Sequence, residues 1–339
     1  MLNCLCMSLF SKRYDLLAIG DTVMDAFIRL KEAHINCRLD NEQCEICMKY
    51  GDKIPYDFVE ICPAVGNSAN AAVCGARLGV NTCIVTHIGD DDNGKEVLAT
   101  FKRENVGTDY VSVEKGKKTN YHYVLWYEAD RTILIKHEQY DYKLPSFKEP
   151  KWIYLSSLPE HTLPYHQALA EYLKKHPNVK LAFQPGTFQI RFGLNTLADI
   201  YARTEIFFCN REEAEKILGV PPGDVKTLSA MLHAKGPKTV VITDGPKGAY
   251  AYDEGKLYFI APYPDPKPPY DRTGAGDAFS STFAVARMMG KSIEEALLWA
   301  PINSMSVVQQ VGAQKGLLTR ERLIDYLKRA PRDYKVKIL

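Results

Sequence analysis

The sequence predicts an α/β protein built on a largely parallel, doubly wound sheet with helices on both faces. Three observations predict it. Short apolar runs that end in a glycine or a polar residue alternate with segments of helical periodicity, the rhythm of strand–helix–strand units. The segments that carry the most Gly, Asn and Asp lie directly after those runs, where ligands bind in sheets of this kind. Two stretches, residues 26–60 and 119–137, break the rhythm and read as an insertion on a regular body.

Residues 14–20 form the first buried strand, ending at Gly20. Residues 70–79 carry small and apolar side chains at helical spacing and close on Leu78-Gly79, a helix with a glycine C-cap. Residues 81–87 are the next strand, and 152–155, 179–183, 205–209 and 239–243 are four more. Helical segments follow at 163–175, 188–201, 211–218 and 274–289. Within 119–137, Tyr121, Tyr123, Leu125 and Tyr127 alternate with His122, Val124 and Trp126, the period of a two-faced strand. No linker, repeat or boundary divides residues 14–330, which read as a single domain carrying both insertions. Residues 1–13 read as an N-terminal tail. Their charges, Lys12 and Arg13, follow the apolar stretch, whereas a secretory signal has its charges first.

The bulk properties exclude several classes. With 339 residues, 46% of them hydrophobic and 25% charged, the chain is long and apolar enough for a substantial core. A formal net charge of +2 gives no polyelectrolyte surface for nucleic acid and no basic membrane face. No apolar run reaches the roughly 18 residues of a spanning helix. Nine cysteines in so long a chain suggest a reducing cytoplasm rather than a disulfide framework. His34, Cys37, Cys44 and Cys47 fall close together and include a Cys-x-x-Cys spacing, so they raise a zinc reading. The gap from Cys37 to Cys44 is short for a zinc module, and free thiols are the simpler expectation.

Function is written most densely in residues 271–279, Asp-Arg-Thr-Gly-Ala-Gly-Asp-Ala-Phe. Gly274, Ala275 and Gly276 let the backbone approach a ligand closely, and an apolar helical run follows at once. Unpaired N–H groups at a helix N-terminus favour an anion such as a phosphate. Asp277, within the first turn, is placed to deprotonate a hydroxyl attacking a γ-phosphate. A glycine turn with an aspartate cap is the plain reading of G-x-G-D alone; the nine residues together carry the stronger one.

This stretch resembles the C-terminal signature of the ribokinase-like, or PfkB-type, carbohydrate and nucleoside kinases. Arg272 stands where a small hydroxyl residue is more usual. The resemblance extends from about residue 15 to residue 330 and implies a three-layer α/β/α sandwich, with a small β-sheet lid made by the two insertions. It implies that Asp277 is the catalytic base and that Gly274, Ala275 and Gly276 form the anion hole. Asp25, an ordinary turn residue by position, would by this resemblance bind acceptor hydroxyls. So would Gly66, Asn67 and Asn70, in a segment resembling the N-terminal signature but with Val65 in place of its first glycine.

Asn210-Arg211-Glu212-Glu213 has the pattern of a helix capping box. The resemblance adds a nucleotide role for Asn210 and a role for Glu213 in organising Mg²⁺ through waters. It places Thr243, Gly245 and Gly248 along the ATP phosphates and Asn303 near the adenine. It also makes Val311-Gly312-Ala313 a loop that binds a monovalent cation such as K⁺ in some members. Arg131-Thr132 in the lid and Pro185-Gly186 after a strand are weaker echoes.

The function implied is ATP-dependent phosphorylation of a sugar hydroxyl in the cytoplasm, with a lid that would serve as a homodimer surface. Two alternatives stay open. A nucleoside kinase would stack its base on Tyr121, Tyr123 and Tyr127, which otherwise simply pair across lid strands or a dimer contact. A non-catalytic nucleotide- or sugar-binding relative is disfavoured by Asp277, the glycine nest and Glu213. No G-x-G-x-x-G follows the first strand, which excludes a dinucleotide oxidoreductase.

Overall fold

The computed structural model describes residues 12–37, 44–128 and 130–339. Strand β1 (Leu16–Ile19) opens the body. The chain then leaves it for β2 (Val23–Leu30), the hairpin β3 (His34–Cys37) and β4 (Cys44–Cys47), and β5 (Tyr56–Val65). It returns through α1 (Asn67–Arg77), β6 (Thr82–Gly89), α2 (Asp92–Arg103) and β7 (Gly107–Glu114). A second excursion makes β8 (Tyr121–Tyr127) and β9 (Asp130–Leu134). Then come β10 (Trp152–Leu155), α3 (Leu163–Lys175), β11 (Lys180–Phe183), α4 (Thr187–Thr196), α5 (Ala198–Arg203) and β12 (Thr204–Asn210). Helices α6 (Arg211–Leu218) and α7 (Val225–His233) precede β13 (Thr239–Thr243) and the hairpin β14 (Ala249–Asp253) and β15 (Lys256–Ile260). The chain closes with α8 (Ala275–Met288), α9 (Ile293–Val307), α10 (Arg320–Lys328) and the short β16 (Lys337–Ile338).

Among the described residues the main sheet runs β16-β15-β14-β13-β12-β11-β10-β1-β6-β7. The strands from β13 to β7 are mutually parallel, and β14, β15 and β16 are antiparallel. Side chains alternate across the sheet, and both faces are covered. Leu16 and Ala18 join a core with α1, α2, α8, α9 and α10. Leu17 and Ile19 join a second core with α3, α5, α6 and α7. Two buried faces explain why these strands read as unbroken apolar runs. The three-layer sandwich expected from the sequence is the observed one.

Two helix boundaries differ from expectation. The predicted helix over 188–201 is broken twice, by a kink within α4 at Gly193, which takes a positive φ of 81°, and at Leu197, which separates α4 from α5. The helix expected from Asn70 starts at Asn67, because Gly66 turns the chain at φ 118°. Val65, which replaces a glycine of the resembling signature, is accommodated as the buried last residue of β5, opposite Val23.

The lid is a second sheet, β5-β2-β8-β9. Phe27, Val124 and Trp126 face the body and cluster with Val311. The Trp126 ring also meets Tyr270 edge-on at 5.0 Å. The β3–β4 hairpin departs from the expectation of free thiols. Cys37 and Cys44 are cross-strand partners joined by a disulfide. Bonding two of the four candidate ligands to each other removes the zinc reading, and no cluster of three or more His, Cys, Asp or Glu placed to hold a metal occurs among the described residues. Among those residues no helix is long and apolar enough to cross a membrane. The predicted tail lies almost wholly outside them.

A Cβ on Gly66 would sit 2.7 Å from the Asp21 carbonyl oxygen, on a backbone that L residues rarely adopt. Gly66→Ala should therefore cost about 1–3 kcal/mol of stability. A thermal melt that overlays the wild type would contradict this account of the turn.

Candidate active site

Helix α8 begins where residues 271–274 are pinned from both sides. The Asp271 carboxylate accepts hydrogen bonds from the Thr273 N–H at 2.9 Å, the Thr273 hydroxyl at 2.7 Å and the Gly312 N–H at 2.8 Å. Gly274 caps the helix in the left-handed region, φ 76°. A Cβ there would lie 2.3 Å from that of Ala313, so the loop at 311–313 and the nest fit only with glycine. Ala275, Gly276 and Asp277 are the first residues of the helix, with N–H groups that lack an intrahelical partner.

Asp277 is partly buried in this first turn. Its Oδ1 accepts from Asn67 Nδ2 at 2.9 Å and Gln184 Nε2 at 3.0 Å, and its Oδ2 from Asn70 Nδ2 at 2.8 Å. Three amides from the start of α1 and the end of β11 thus orient one carboxylate. Loss of hydration pushes its pKa above the ordinary carboxylate value. The amides of Asn70, Gln184 and Asn67 and the charge of Arg131 oppose that rise by favouring the anion.

On one side of Asp277 opens a cavity of about 620 Å³, a size suited to a nucleotide-scale ligand. Thr243, Gly245 and Gly248 line it together with Ala275 and Gly276. Its deeper walls are apolar, with Ile260, Phe279, Pro301 and Met305 among them. Nearby, Asn210 and Glu213 form the reciprocal capping box. The Asn210 side chain accepts from the Glu213 N–H at 2.8 Å, and Glu213 Oε2 accepts from the Asn210 N–H at 2.9 Å. Burial, and secondarily the charge of Asp277, raise the Glu213 pKa against that hydrogen bond.

On the lid side, β2 and β8 put Asp25 and His122 opposite each other on the inward face. Asp25 Oδ1 lies 3.5 Å from His122 Nδ1. His137 Nδ1 lies 3.0 Å from Asp21 Oδ2, and the Tyr142 hydroxyl donates to Asp21 Oδ1. The two histidine rings meet edge-on at 5.5 Å. Asp25 Oδ1, His122 Nε2 and Asn120 Nδ2 are buried and without a hydrogen-bond partner. Buried polar atoms of this kind are suited to a polar ligand.

Comparison with known proteins decides the family. The pfkB family carbohydrate kinase pattern matches residues 63–320, about three-quarters of the chain. The chain belongs to the pfkB family of carbohydrate kinases. It is accordingly a phosphotransferase with an alcohol group as acceptor. Ribokinase from Haemophilus influenzae is 27% identical over 275 residues, 78% of this chain and 87% of that protein. Cytidine kinase from Thermococcus kodakarensis is 30% identical over 241 residues, 69% and 82% of the two chains. Among solved structures, Arabidopsis thaliana ribokinase complexed with ribose and ATP is similar in fold, with TM-score 0.73, 24% identity and coverage of 94% and 99%.

Within this kinase, Asp277, Asn67 and Asn70 come together at one point, and Thr243, Gly245 and Gly248 line the adjoining cavity. Asn303 does not line it. Its side chain is completely buried, bridging Thr282 at 2.8 Å, Cys74 at 3.6 Å and the Leu318 N–H at 2.8 Å. The adenine role expected for it gives way to a structural one that ties α1, α8 and α9 together. Of the lid tyrosines, Tyr121 packs partly buried against the main core. Tyr123 is half-exposed on the outer face, next to Tyr121, because the residues that face inward are His122, Val124 and Trp126. Gln184, His122, His137 and Asp21 were missed. The signal for Gln184 and Asp21 was the rule that found Asp25, a polar residue just past a strand's carboxyl end.

Asn303→Ala would orphan the buried Leu318 N–H and should cost about 1–3 kcal/mol. A lowered melting temperature with KM for nucleotide little changed is the expected result. The reverse pattern would restore the adenine contact.

Proposed function

We propose that the protein transfers the γ-phosphate of ATP to a hydroxyl of a sugar, with Asp277 as general base. The observation that carries this reading is the Asp277 carboxylate, fixed by three amides at a helix N-terminus beside a nucleotide-sized cavity. The acceptor oxygen attacks the γ-phosphorus, its proton passes to Asp277, and the bond to the β-phosphate oxygen breaks, releasing ADP. The N–H groups of Gly274, Ala275, Gly276 and Asp277 stabilise the charge on the transferred group. An ATP complex of the Arabidopsis relative supports the choice of donor.

Glu213 fits a place in organising Mg²⁺. Its Oε2 is held by the Asn210 N–H, it shares the electrostatic field of Asp277, and among the described residues no cage of three or more His, Cys, Asp or Glu surrounds it. Mg²⁺ bound through one carboxylate, waters and substrate phosphates needs no such cage; when bound, it neutralises charge on the phosphates. Asp25, with His122 beside it, and Asp21, with His137, form the acceptor wall. Such carboxylate–imidazole pairs suit a polyhydroxylated sugar. The nucleoside reading is supported by a cytidine kinase among the relatives, but of its three stacking tyrosines Tyr123 is half-exposed on the outer face.

An ADP-release assay with ATP and Mg²⁺ against sugars and nucleosides, run beside Asp277→Asn, tests the reading. General-base loss is worth about 10²–10⁴ in rate, so the variant should keep its fold and nucleotide affinity and lose most turnover. Only the carboxylate accepts the proton, and its pKa is raised. The acid limb of the kcat/KM profile should therefore lie above the ordinary aspartate range, with activity lost as pH falls through it. Turnover in the variant close to the wild type would refute the assignment.

The outer lid face supports a homodimer. Ile28 pairs with Val59 and Ala26 with Ile61 and Tyr123, while Tyr123 pairs with Leu134. Val59, Ile61, Tyr123 and Leu134 are 42%, 46%, 49% and 51% exposed. These residues form one contiguous apolar patch, of the kind that marks association surfaces, and a second copy of the chain is the proposed occupant. Light scattering should give a dimer that Ile61→Lys converts to a monomer. A monomeric wild type at micromolar concentration would end this idea.

A further inference from the structure

We propose that Arg272 is the cationic clamp for the donor's polyphosphate, a role that rests on reading the 620 Å³ cavity as the nucleotide site. Among the side chains lining that cavity, Arg272 is the sole Lys or Arg and Asp265 the sole acid. A nucleoside triphosphate would bring several negative charges to a wall whose other polar side chains are the neutral hydroxyls of Thr243, Tyr263 and Ser304. The hydroxyls of Tyr263 and Ser304, also on that wall, already donate to the Tyr326 and Ala275 carbonyls at 2.9 Å each. Neither hydroxyl proton is free for a phosphate.

The backbone around Arg272 explains where its side chain goes. Asp271 and Thr273 are buried and bonded to each other, and Asp271 also holds Gly312. The residue between these two buried ones, Arg272, is exposed on the cavity wall two residues before the nest. Among the described residues it makes no ion pair and no side-chain hydrogen bond. Arg272 and Asp265 both line the cavity, and the arginine's charge works against the rise that burial gives that carboxyl's pKa. A fixed main chain, a free fork of five donors and an adjacent amide nest together make a phosphate site with both positional and bidentate recognition. The residue that departs from the signature in this chain is thus the one that supplies the cavity's positive charge.

The test is calorimetric titration of wild type, Arg272→Ala, Arg272→Lys and Asp265→Asn with adenosine, AMP, ADP and a non-hydrolysable ATP analogue, at low and high KCl. Arg272→Ala should weaken ADP and the analogue about tenfold to a hundredfold. Adenosine affinity should stay within twofold, and the salt dependence of ADP binding should be flatter. Arg272→Lys should recover part of the loss, since it keeps the charge without the fork. Equal ADP affinity in Arg272→Ala and wild type would overturn the clamp, as would an equal loss for adenosine, which would mark general damage to the cavity. A loss of ADP affinity matched by Asp265→Asn would overturn it too, by making the arginine a partner of that carboxylate. A wild type that binds none of the four ligands would instead remove the nucleotide reading of the cavity, and the clamp with it.

Discussion

One carboxylate organises this structure. Asp277 stands at the N-terminus of α8 because the helix dipole and free N–H groups there favour an anion, yet it has lost much of its hydration. Three amide donors restore part of what water supplied. They also leave the carboxylate in one orientation, which a base needs if it is to meet a hydroxyl oxygen at hydrogen-bond distance. The raised pKa is the chemical consequence, since a less hydrated carboxylate takes a proton more readily. The same incomplete hydration suits it to the reaction and makes it costly to hold.

Bringing those amides to Asp277 dictates the packing beneath. Asn67 and Asn70 reach it only if the start of α1 lies against the start of α8. The contact is made of small side chains: Ala69, Ala72 and Cys74 on α1, and Ala278, Ser281 and Thr282 on α8, all buried. Cys74 and Thr282 approach to 3.4 Å. Asn303 completes the join from α9 with bonds to both and to Leu318. Larger residues would separate the helices and move the asparagines from the carboxylate. Gln184 arrives from the opposite direction, at the end of β11, so the site also records the register of the sheet.

The lid works by having two different faces. Its inner face combines Trp126 and Phe27, which dock on the body, with Asp25 and His122, which keep polar atoms without protein partners. Its outer face is apolar and open. Strand periodicity sends alternate residues to these two environments, and for that reason a shift of one residue would exchange docking, acceptor and association surfaces at once.

The alternation of buried strands and helices, the two lid insertions and the positions of Asp277, the glycine nest and the Asn67–Asn70 pair were legible in the amino-acid order. Each depends on local pattern, either a period of 2 or 3.6 or a polar residue just past a strand. The capping box of Asn210 and Glu213 was legible for the same reason. What the order could not specify was which residues converge from afar. Gln184 and Asp277 are 93 positions apart, and Asn303 meets Cys74 across 229. Nor could alternation in 119–137 say which face of the strand turns inward, since both carry aromatic residues. Only packing against Phe27 and Val311 decided that Val124 and Trp126 turn inward, on the face that also carries His122, while Tyr123 is exposed. Cys37 and Cys44 likewise became partners because the hairpin register sets them opposite each other. Local chemistry determined the elements and their motifs, and the burial of two apolar cores decided which of those motifs share one site.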